Sequence, residues 1–375
     1  MRNLSPPALD FIVIGAGMVG AAIAYGLARQ GQRVLALDGA DGDFRAARGN
    51  GGLVWVQSKG VKMPAYRELT EHSAGIWPDF ARELQDVAGV DVELEQKGGL
   101  ALCLGEKELE ARRRRLTASR DAHLLKVEMV RRADVEKLLP GLELGRDVAG
   151  ASYGTHDGSV NPLKLLLALQ SALLRKGCGL ETQNRVRSIR YRGNEFIVEA
   201  ERAIYVASKI VLSAGIGTQI LGKQIGLDVP VIPERGQAIV TERVRDFIPL
   251  PTIGVRQSKQ GTIFIGTTKE DVGFDNSATG AASGSMASRA VRMFPQLARL
   301  RVVRQWGCLR IMTPDGHPIY AESESHPGAF VATCHSGLTL ASYHALVLPQ
   351  LLVSGQFAAT LAPFHHRRFD VSQSH

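Results

Sequence analysis

Metal and disulfide chemistry are what this sequence does not offer. Its four cysteines, Cys103, Cys178, Cys308 and Cys334, lie far apart and never in C-x-x-C spacing, so neither a disulfide framework nor a zinc or iron-sulfur site is written in them. No metal ligand set is expected. A run of about 20 apolar residues, the length that crosses a bilayer, is also missing. The first apolar run, FIVIGAG, follows ten residues that carry no basic n-region or small-residue cleavage site, which points to a cytoplasmic protein with no transmembrane segment. Aromatic residues are scarce, at 6%, and none interleave with the basic run Arg112–Arg115. That run, in EKELEARRRRLTASRD, reads as a solvated helix face, with a docking patch for an acidic partner as its alternative. No nucleic acid partner is expected, although the net charge is +8. Internal repeats and low-complexity linkers are absent too.

What is present is glycine, 40 residues of it, clustered where loops should sit. Phe11 to Ile14 is a continuous apolar run, as in a strand covered on both faces. A glycine turn follows, then AAIAYGLARQG at helical spacing, then RVLALD as a second buried strand: a complete βαβ unit. NPLKLLLALQSALLRKG predicts a helix with Asn161 as N-cap, Pro162 at its first position and Gly177 closing it. RVRSIRYRGNEFIVEA predicts a hairpin turning at Gly193 and Asn194, and KIVLSAGIG a further strand returning to the first sheet. Residues 85–147, charged and helical in pattern, and 229–303, with strand patterns, form one inserted domain. The remaining segments, 8–84, 148–228 and 304–370, form the other.

The strongest local signal is Gly15-Ala16-Gly17-Met18-Val19-Gly20 between strand and helix. Gly15 permits the tight turn, Gly17 lets the backbone approach a pyrophosphate, and Gly20 allows close packing. Asp38, at the end of the second strand, is placed for a ribose hydroxyl, and its charge disfavours a 2′-phosphate. The fingerprint alone leaves NAD and FAD open.

Several further motifs recur in the order seen in one family: RGNGGLVW (48–55), HDGSVNP (156–162), VLSAGIG (211–217), RGQ (235–237), WGCLRIMTPDGHPI (306–319) and CHSGLTLAS (334–342). Together they resemble the D-amino-acid oxidase superfamily of FAD enzymes, which includes glycine and sarcosine oxidases, over nearly the whole chain. GLVWVQSKG, TPDGHPIY, TCHSGLTLASYHA and a terminal RRFDV are similar to the flavin (β) subunits of D-hydroxyproline dehydrogenase, opine oxidase and hydrogen cyanide synthase. The resemblance implies an α/β fold, with a Rossmann-type FAD-binding domain and an interleaved α+β substrate domain, as in glycine and sarcosine oxidases.

The resemblance also implies residue roles. Arg48, Asn50, Gly51, Gly52 and Leu53 form a loop whose backbone lines a flavin edge. Family members commonly place a hydroxyl residue just before this loop, whereas Ala46, Ala47 and Arg48 stand here, so contacts by a hydroxyl are not expected. Val186 matches a position whose backbone meets the adenine, and Gly215 and Gly217 let the chain pass close to the cofactor. CHSGLTLASYHA reads as a glycine turn opening a helix, with the amides of Gly337, Leu338 and Thr339 facing the flavin pyrimidine ring. His335 reads as an ordinary hydrogen-bonded loop histidine rather than a catalytic base.

Arg310 interrupts a stretch that otherwise reads as a buried strand, and a desolvated guanidinium needs a partner. A planar fork suits a carboxylate. In the superfamily the matching arginine, after W-x-x-L, grips the substrate carboxylate; a structural ion pair with an acid such as Asp315 is the alternative. Cys308 matches the position where sarcosine oxidases attach FAD covalently, against a buried, inert thiol, which is the preferred reading. Where sarcosine oxidases place an oxygen-promoting lysine, Phe264 stands before Gly266, favouring electron delivery to a partner.

The resulting expectation is FAD-dependent oxidation of the C–N bond of a small amino or imino acid, by hydride transfer from Cα to flavin N5. The chain would be the catalytic β subunit of a D-hydroxyproline dehydrogenase-like complex, with opine (octopine or nopaline) oxidase or a glycine/sarcosine-type oxidase as alternatives. Partner subunits with iron-sulfur centres or a second flavin would accept the electrons. A tRNA-modifying flavin oxidase and a non-catalytic FAD scaffold rank below these; Arg310 argues against the scaffold.

Overall fold

A computed structural model describes residues 9–39, 46–118 and 126–373. Residues 8 and 40–45 of the first expected segment, and 119–121 of the basic stretch, lie outside them. The βαβ unit is present as Leu9–Ile14 (β1), Met18–Arg29 (α1) and Val34–Leu37 (β2). The two strands run parallel, in register from Phe11 opposite Val34 to Ile14 opposite Leu37. Phe11 to Ile14 and all of β2 are buried, as the unbroken apolar runs require when both faces are covered. Each large side chain among them contributes about 1.5–3 kcal/mol of burial free energy.

β1 lies near the middle of an eight-stranded sheet. Its parallel neighbours are β2 on one side and Ile204–Leu212, the expected returning strand, on the other. Ala329–Thr333 pairs parallel with the far edge of that returning strand, and Ile319–Glu322 closes the edge antiparallel. The hairpin Val186–Arg192/Glu195–Ala200 attaches to the start of Ile204–Leu212. It turns at Gly193 and Asn194, with φ of 61° and 63°, the double positive φ that a two-residue turn of matching twist demands.

A second body of sheet faces this one. Val255–Gln257, Thr262–Gly266, Ile232–Arg243 and Val302–Met312 form four strands in that order, and Gly99–Leu104, Val148–Gly154 and Val127–Arg131 form three. An isolated bridge between Leu100 and Thr252 joins the two sets, and Leu100, Leu102, Ile239, Ile263 and Phe294 share one buried cluster. This corrects the sequence reading in two respects. Residues 85–147 contain two strands, Gly99–Leu104 and Val127–Arg131, because buried GLALCL pairs with a strand far along the chain. The expected divisions before 148 and 304 also fall early: strands Val148–Gly154 and Val302–Met312 pair into the second sheet. Backbone pairing, which local composition does not reveal, draws both across.

Two helices brace the first sheet. Pro64–Ala88 buries Trp77, Phe80 and Leu84 against Tyr25 of α1. Pro162–Arg175 begins as expected, with the Asn161 side chain accepting hydrogen bonds from the Leu163 and Lys164 amides. The Asn161 amide group also donates to Glu93 Oε2 at 3.1 Å. Asn161→Ala is expected to lower the unfolding free energy by about 1 kcal/mol, read as a shift in urea midpoint; an unchanged midpoint would contradict the capping role.

Candidate active site

The site is assembled where loops of the two sheets meet. At one end is the glycine turn between β1 and α1. Gly15 has φ of 97°, and a Cβ on Gly20 would lie 1.8 Å from the Gly15 carbonyl oxygen, so only glycines allow the helix to start this close to the strand. α1 begins after Gly17 with no side-chain cap, which leaves the first-turn amides of Met18, Val19 and Gly20 directed at whatever binds there. Asp38 Oδ2 accepts the Ala16 amide at 2.7 Å, so the carboxylate braces the turn as well as standing beside it. The Asp38 carbonyl accepts the Asn184 amide at 2.9 Å, bringing buried Val186 into the same neighbourhood.

The loop after the short helix Ala46–Gly49 is held from both sides. Asn50 donates to the Ala46 and Ala47 carbonyls and accepts the Gly52 amide, so its side chain shapes the loop. Arg48 lies exposed beside it. From the second sheet, Arg256 Nε donates to the Gly51 carbonyl at 2.7 Å and Trp306 Nε1 to the Gly49 carbonyl at 3.0 Å. Burial pushes the pKa of the Arg256 guanidinium down to about 10. Leu53 and Trp55 are joined to Thr339, whose Oγ1 accepts the Trp55 amide and donates to the Leu53 carbonyl. A Cβ on Gly337 would sit 2.8 Å from Val19, so this third loop abuts the start of α1.

The segment around Gly337 differs from expectation. Helix begins only at Ala341 and runs to Leu346, after a turn in which the Leu340 amide bonds the Ser336 carbonyl. Gly337, Leu338 and Thr339 therefore lie in a turn, and no helix dipole acts at their amides. Among the described residues no backbone acceptor takes those three N–H groups. Gly215 and Gly217 lie in a single 3-10 turn packed near Ile311.

Arg310 sits in the Val302–Met312 strand directly opposite Glu234. Its Nη1 donates to Glu234 Oε1 at 2.8 Å, and its Nη2 to Thr267 Oγ1 and the Thr268 carbonyl, each at 2.7 Å. The ion-pair partner is thus Glu234. Asp315, the acid considered from sequence, pairs instead with Arg368 at 2.8 Å. Gly236 makes the arrangement sterically feasible, since a Cβ there would lie 2.4 Å from Arg310 Nη2. Cys308, two residues back, is buried; its thiol donates to the Gly236 carbonyl, and burial raises its pKa. A protonated, bonded thiol favours the inert reading. Phe264 packs against Trp306 with ring centroids 5.9 Å apart.

Sequence reasoning missed the setting of Lys59. Lys59 Nζ donates to Ser336 Oγ at 2.7 Å, and Tyr66 Oη donates to the same oxygen at 2.7 Å. Burial, with Lys269 and Arg115 adding repulsion, pushes the pKa of the Lys59 amine down to about 8. His335 is accessible to solvent but walled by protein; burial, then Lys59, Arg310 and Lys269, push its pKa down to about 3. A ring so weakened is a poor proton acceptor, but among the described residues it makes none of the hydrogen bonds expected of an ordinary loop histidine. The only local signal for Lys59 was its place just after an apolar run.

The residues present fit a flavin dinucleotide. The helix start at Met18 is uncapped, side chains would fill the glycine loops, and the buried Trp55 indole N–H has no partner among the described residues. Residues 10–351 match the family described as FAD dependent oxidoreductase. The chain belongs to the family of FAD-dependent oxidoreductases. As such it binds FAD, and the D-amino-acid oxidase superfamily resemblance of its motifs holds. An opine oxidase subunit from Rhizobium meliloti is 39% identical over 372 residues, covering 98% of this chain and 99% of that protein. The corresponding opine oxidase subunit from Agrobacterium tumefaciens (strain Ach5) is 40% identical over 373 residues, covering 98% and 99%. The crystal structure of glycine oxidase from Geobacillus kaustophilus superposes with a TM-score of 0.86 at 24% identity, covering 95% of this chain and 98% of that one. No helix among the described residues is long and apolar enough to cross a membrane.

Gly20→Val is expected to force α1 off the turn and reduce the FAD content of purified protein at least ~10-fold. Retention of full yellow colour would contradict the placement of the dinucleotide.

Proposed function

We propose that this FAD-dependent oxidoreductase is the flavin subunit of an opine-oxidase-type assembly, oxidising the C–N bond of an N-substituted amino acid and passing electrons to partner subunits. The two relatives at 39% and 40% identity carry that name over nearly their whole lengths, which moves the preference from D-hydroxyproline dehydrogenase to opine oxidase. Phe264 supports electron delivery to a partner: an apolar ring, packed on Trp306, stands where an oxygen-promoting lysine would be.

The observation that carries the reading is Arg310, 12% exposed and locked to Glu234, Thr267 and Thr268. A guanidinium fixed on this many partners holds its plane, and a carboxylate that replaced the Thr267 hydroxyl would be oriented as well as neutralised. FAD, when bound, supplies the two-electron acceptor for the C–N bond. The chain's own contribution is positioning and charge. Lys59, Lys269 and Arg310 make the pocket unfavourable for an ammonium, so the substrate nitrogen is held as the free amine that oxidation requires.

Arg310→Ala is expected to keep FAD bound while slowing anaerobic flavin reduction by substrate about 100-fold or more. Arg310→Lys should recover only part of this, since an ammonium lacks the planar fork. Stopped-flow absorbance reads both; a wild-type reduction rate and affinity in Arg310→Ala would remove the assignment.

A further inference from the structure

We propose that Lys59, acting through the Ser336 hydroxyl, supplies the positive charge that balances the negative charge the flavin ring gains on reduction, and so raises the reduction potential of the FAD. This rests on the reading that the pyrimidine edge of the ring faces the turn at Gly337, Leu338 and Thr339.

The turn is rich in donors and short of acceptors. Gly337, Leu338 and Thr339 are buried, and among the described residues nothing accepts their N–H groups. Buried amides stay unpaired within a protein where a ligand or water supplies the missing oxygen. Contacts show where that ligand lies. A Cβ on Gly337 would sit 2.8 Å from Val19 in the first turn of α1, and Thr339 Oγ1 bonds the Trp55 amide at 3.1 Å and the Leu53 carbonyl at 3.3 Å. The turn thus touches both stretches assigned to the dinucleotide.

Ser336 continues this row of donors. Its oxygen accepts from Lys59 Nζ and from Tyr66 Oη, each at 2.7 Å, and a hydroxyl that accepts twice still has its own hydrogen to give. Among the described residues no side chain or carbonyl takes it. The Lys59 ammonium therefore stands one hydroxyl away from the row, and polarises it. Lys59 itself pairs with no carboxylate among the described residues. Its pKa of about 8 leaves it charged at pH 7. The chain beside it is mounted firmly: a Cβ on Gly60 would lie 2.3 Å from the Arg67 amide nitrogen, so glycine lets this segment pack on the Pro64–Ala88 helix that carries Tyr66.

The chemistry calls for a charge at this place. Hydride transfer breaks the substrate Cα–H bond and moves two electrons and one proton to flavin N5. The substrate is left as an iminium cation, and the ring system, with no further proton, carries one negative charge on its pyrimidine edge. A helix start would offset that charge, but here helix begins only at Ala341. Arg310 is paired with Glu234 at 2.8 Å, and Arg256 bonds the Gly51 carbonyl of the other loop. Lys59 is the cation bonded to this turn, a positioning residue that acts on the ring through Ser336.

The test needs no substrate, so it stands apart from the opine reading. Sulfite adds through its sulfur lone pair to N5 of oxidised flavin and leaves a negative charge on the same edge. Its affinity is read from the loss of yellow absorbance, and the two-electron midpoint potential is read against redox dyes. In the FAD-loaded protein with any co-purifying subunits, Lys59→Met should weaken sulfite at least ~10-fold and lower the potential by about 30 mV or more, the same factor for a two-electron couple. Lys59→Arg keeps the charge and should stay within about 3-fold of wild type. Tyr66→Phe, which removes a hydrogen bond to the same oxygen and no charge, should also stay within about 3-fold. Retained FAD absorbance shows that a variant is folded. Unmoved sulfite affinity and potential in Lys59→Met, or an equal fall in Lys59→Arg or Tyr66→Phe, overturns the proposal. Gly337→Ala then tells which part failed. If it weakens FAD binding while Lys59→Met changes nothing, the ring lies at the turn and Lys59 does not balance its charge; if FAD binding is also unchanged, the placement of the ring fails.

Discussion

The site depends on one buried residue, Thr339. Its carbonyl accepts from Ser73 Oγ at 2.8 Å and Trp77 Nε1 at 2.9 Å, both on the long Pro64–Ala88 helix. Its hydroxyl accepts the Trp55 amide and donates to the Leu53 carbonyl. Four partners from two distant segments thus meet at a residue 3% exposed. Water does not compete there, and any of these groups left unbonded would cost about 1–3 kcal/mol. The loop after Ala46–Gly49 and the loop around Gly337 are therefore tied to each other and to the Pro64–Ala88 helix. Because Gly337 also abuts Val19 at the start of α1, the dinucleotide end and the ring end of the cleft share one rigid frame.

The second sheet completes what the first begins. Arg256 and Trp306 reach from its strands to the Gly51 and Gly49 carbonyls, and Arg310 stands on the Val302–Met312 strand that carries Trp306. A single strand thus carries both Trp306, which holds the Gly49 carbonyl, and Arg310. Electrostatics divide along the same line. On the first sheet's side stand the uncapped start of α1 and Asp38, whose carboxylate accepts the Ala16 amide. Toward the second, Arg310 is paired with Glu234 at 2.8 Å and Lys59 is held by the Ser336 hydroxyl.

Local patterns make the first sheet readable in the sequence. Unbroken apolar runs gave β1 and β2, an Asn-Pro pair gave the helix start at Pro162, and Gly193-Asn194 gave the hairpin. Arg310 stood out because a charge in a stretch that reads as a buried strand needs a reason; in the strand only Gly307 and Cys308 are buried, because its first residues face solvent. The partner was not legible, because Glu234 is opposite Arg310 only through antiparallel register between strands far apart in the chain. The same nonlocality hid the strands Gly99–Leu104 and Val127–Arg131 behind a charged, helical composition. It also hid Lys59, an ordinary lysine in sequence whose setting comes from Ser336 and Tyr66. The late helix start at Ala341 was missed for a different reason: glycine and leucine in CHSGLTLAS fit a compact turn as readily as a helix.

The most direct measurement is the absorbance spectrum of the purified protein, with its co-purifying subunits, during anaerobic addition of octopine and then D-hydroxyproline, D-proline, glycine and sarcosine. Bleaching of the yellow flavin, first and fastest with octopine, is what this account predicts. A flavin that remains oxidised with every one of them, while still bound at full content, would contradict it.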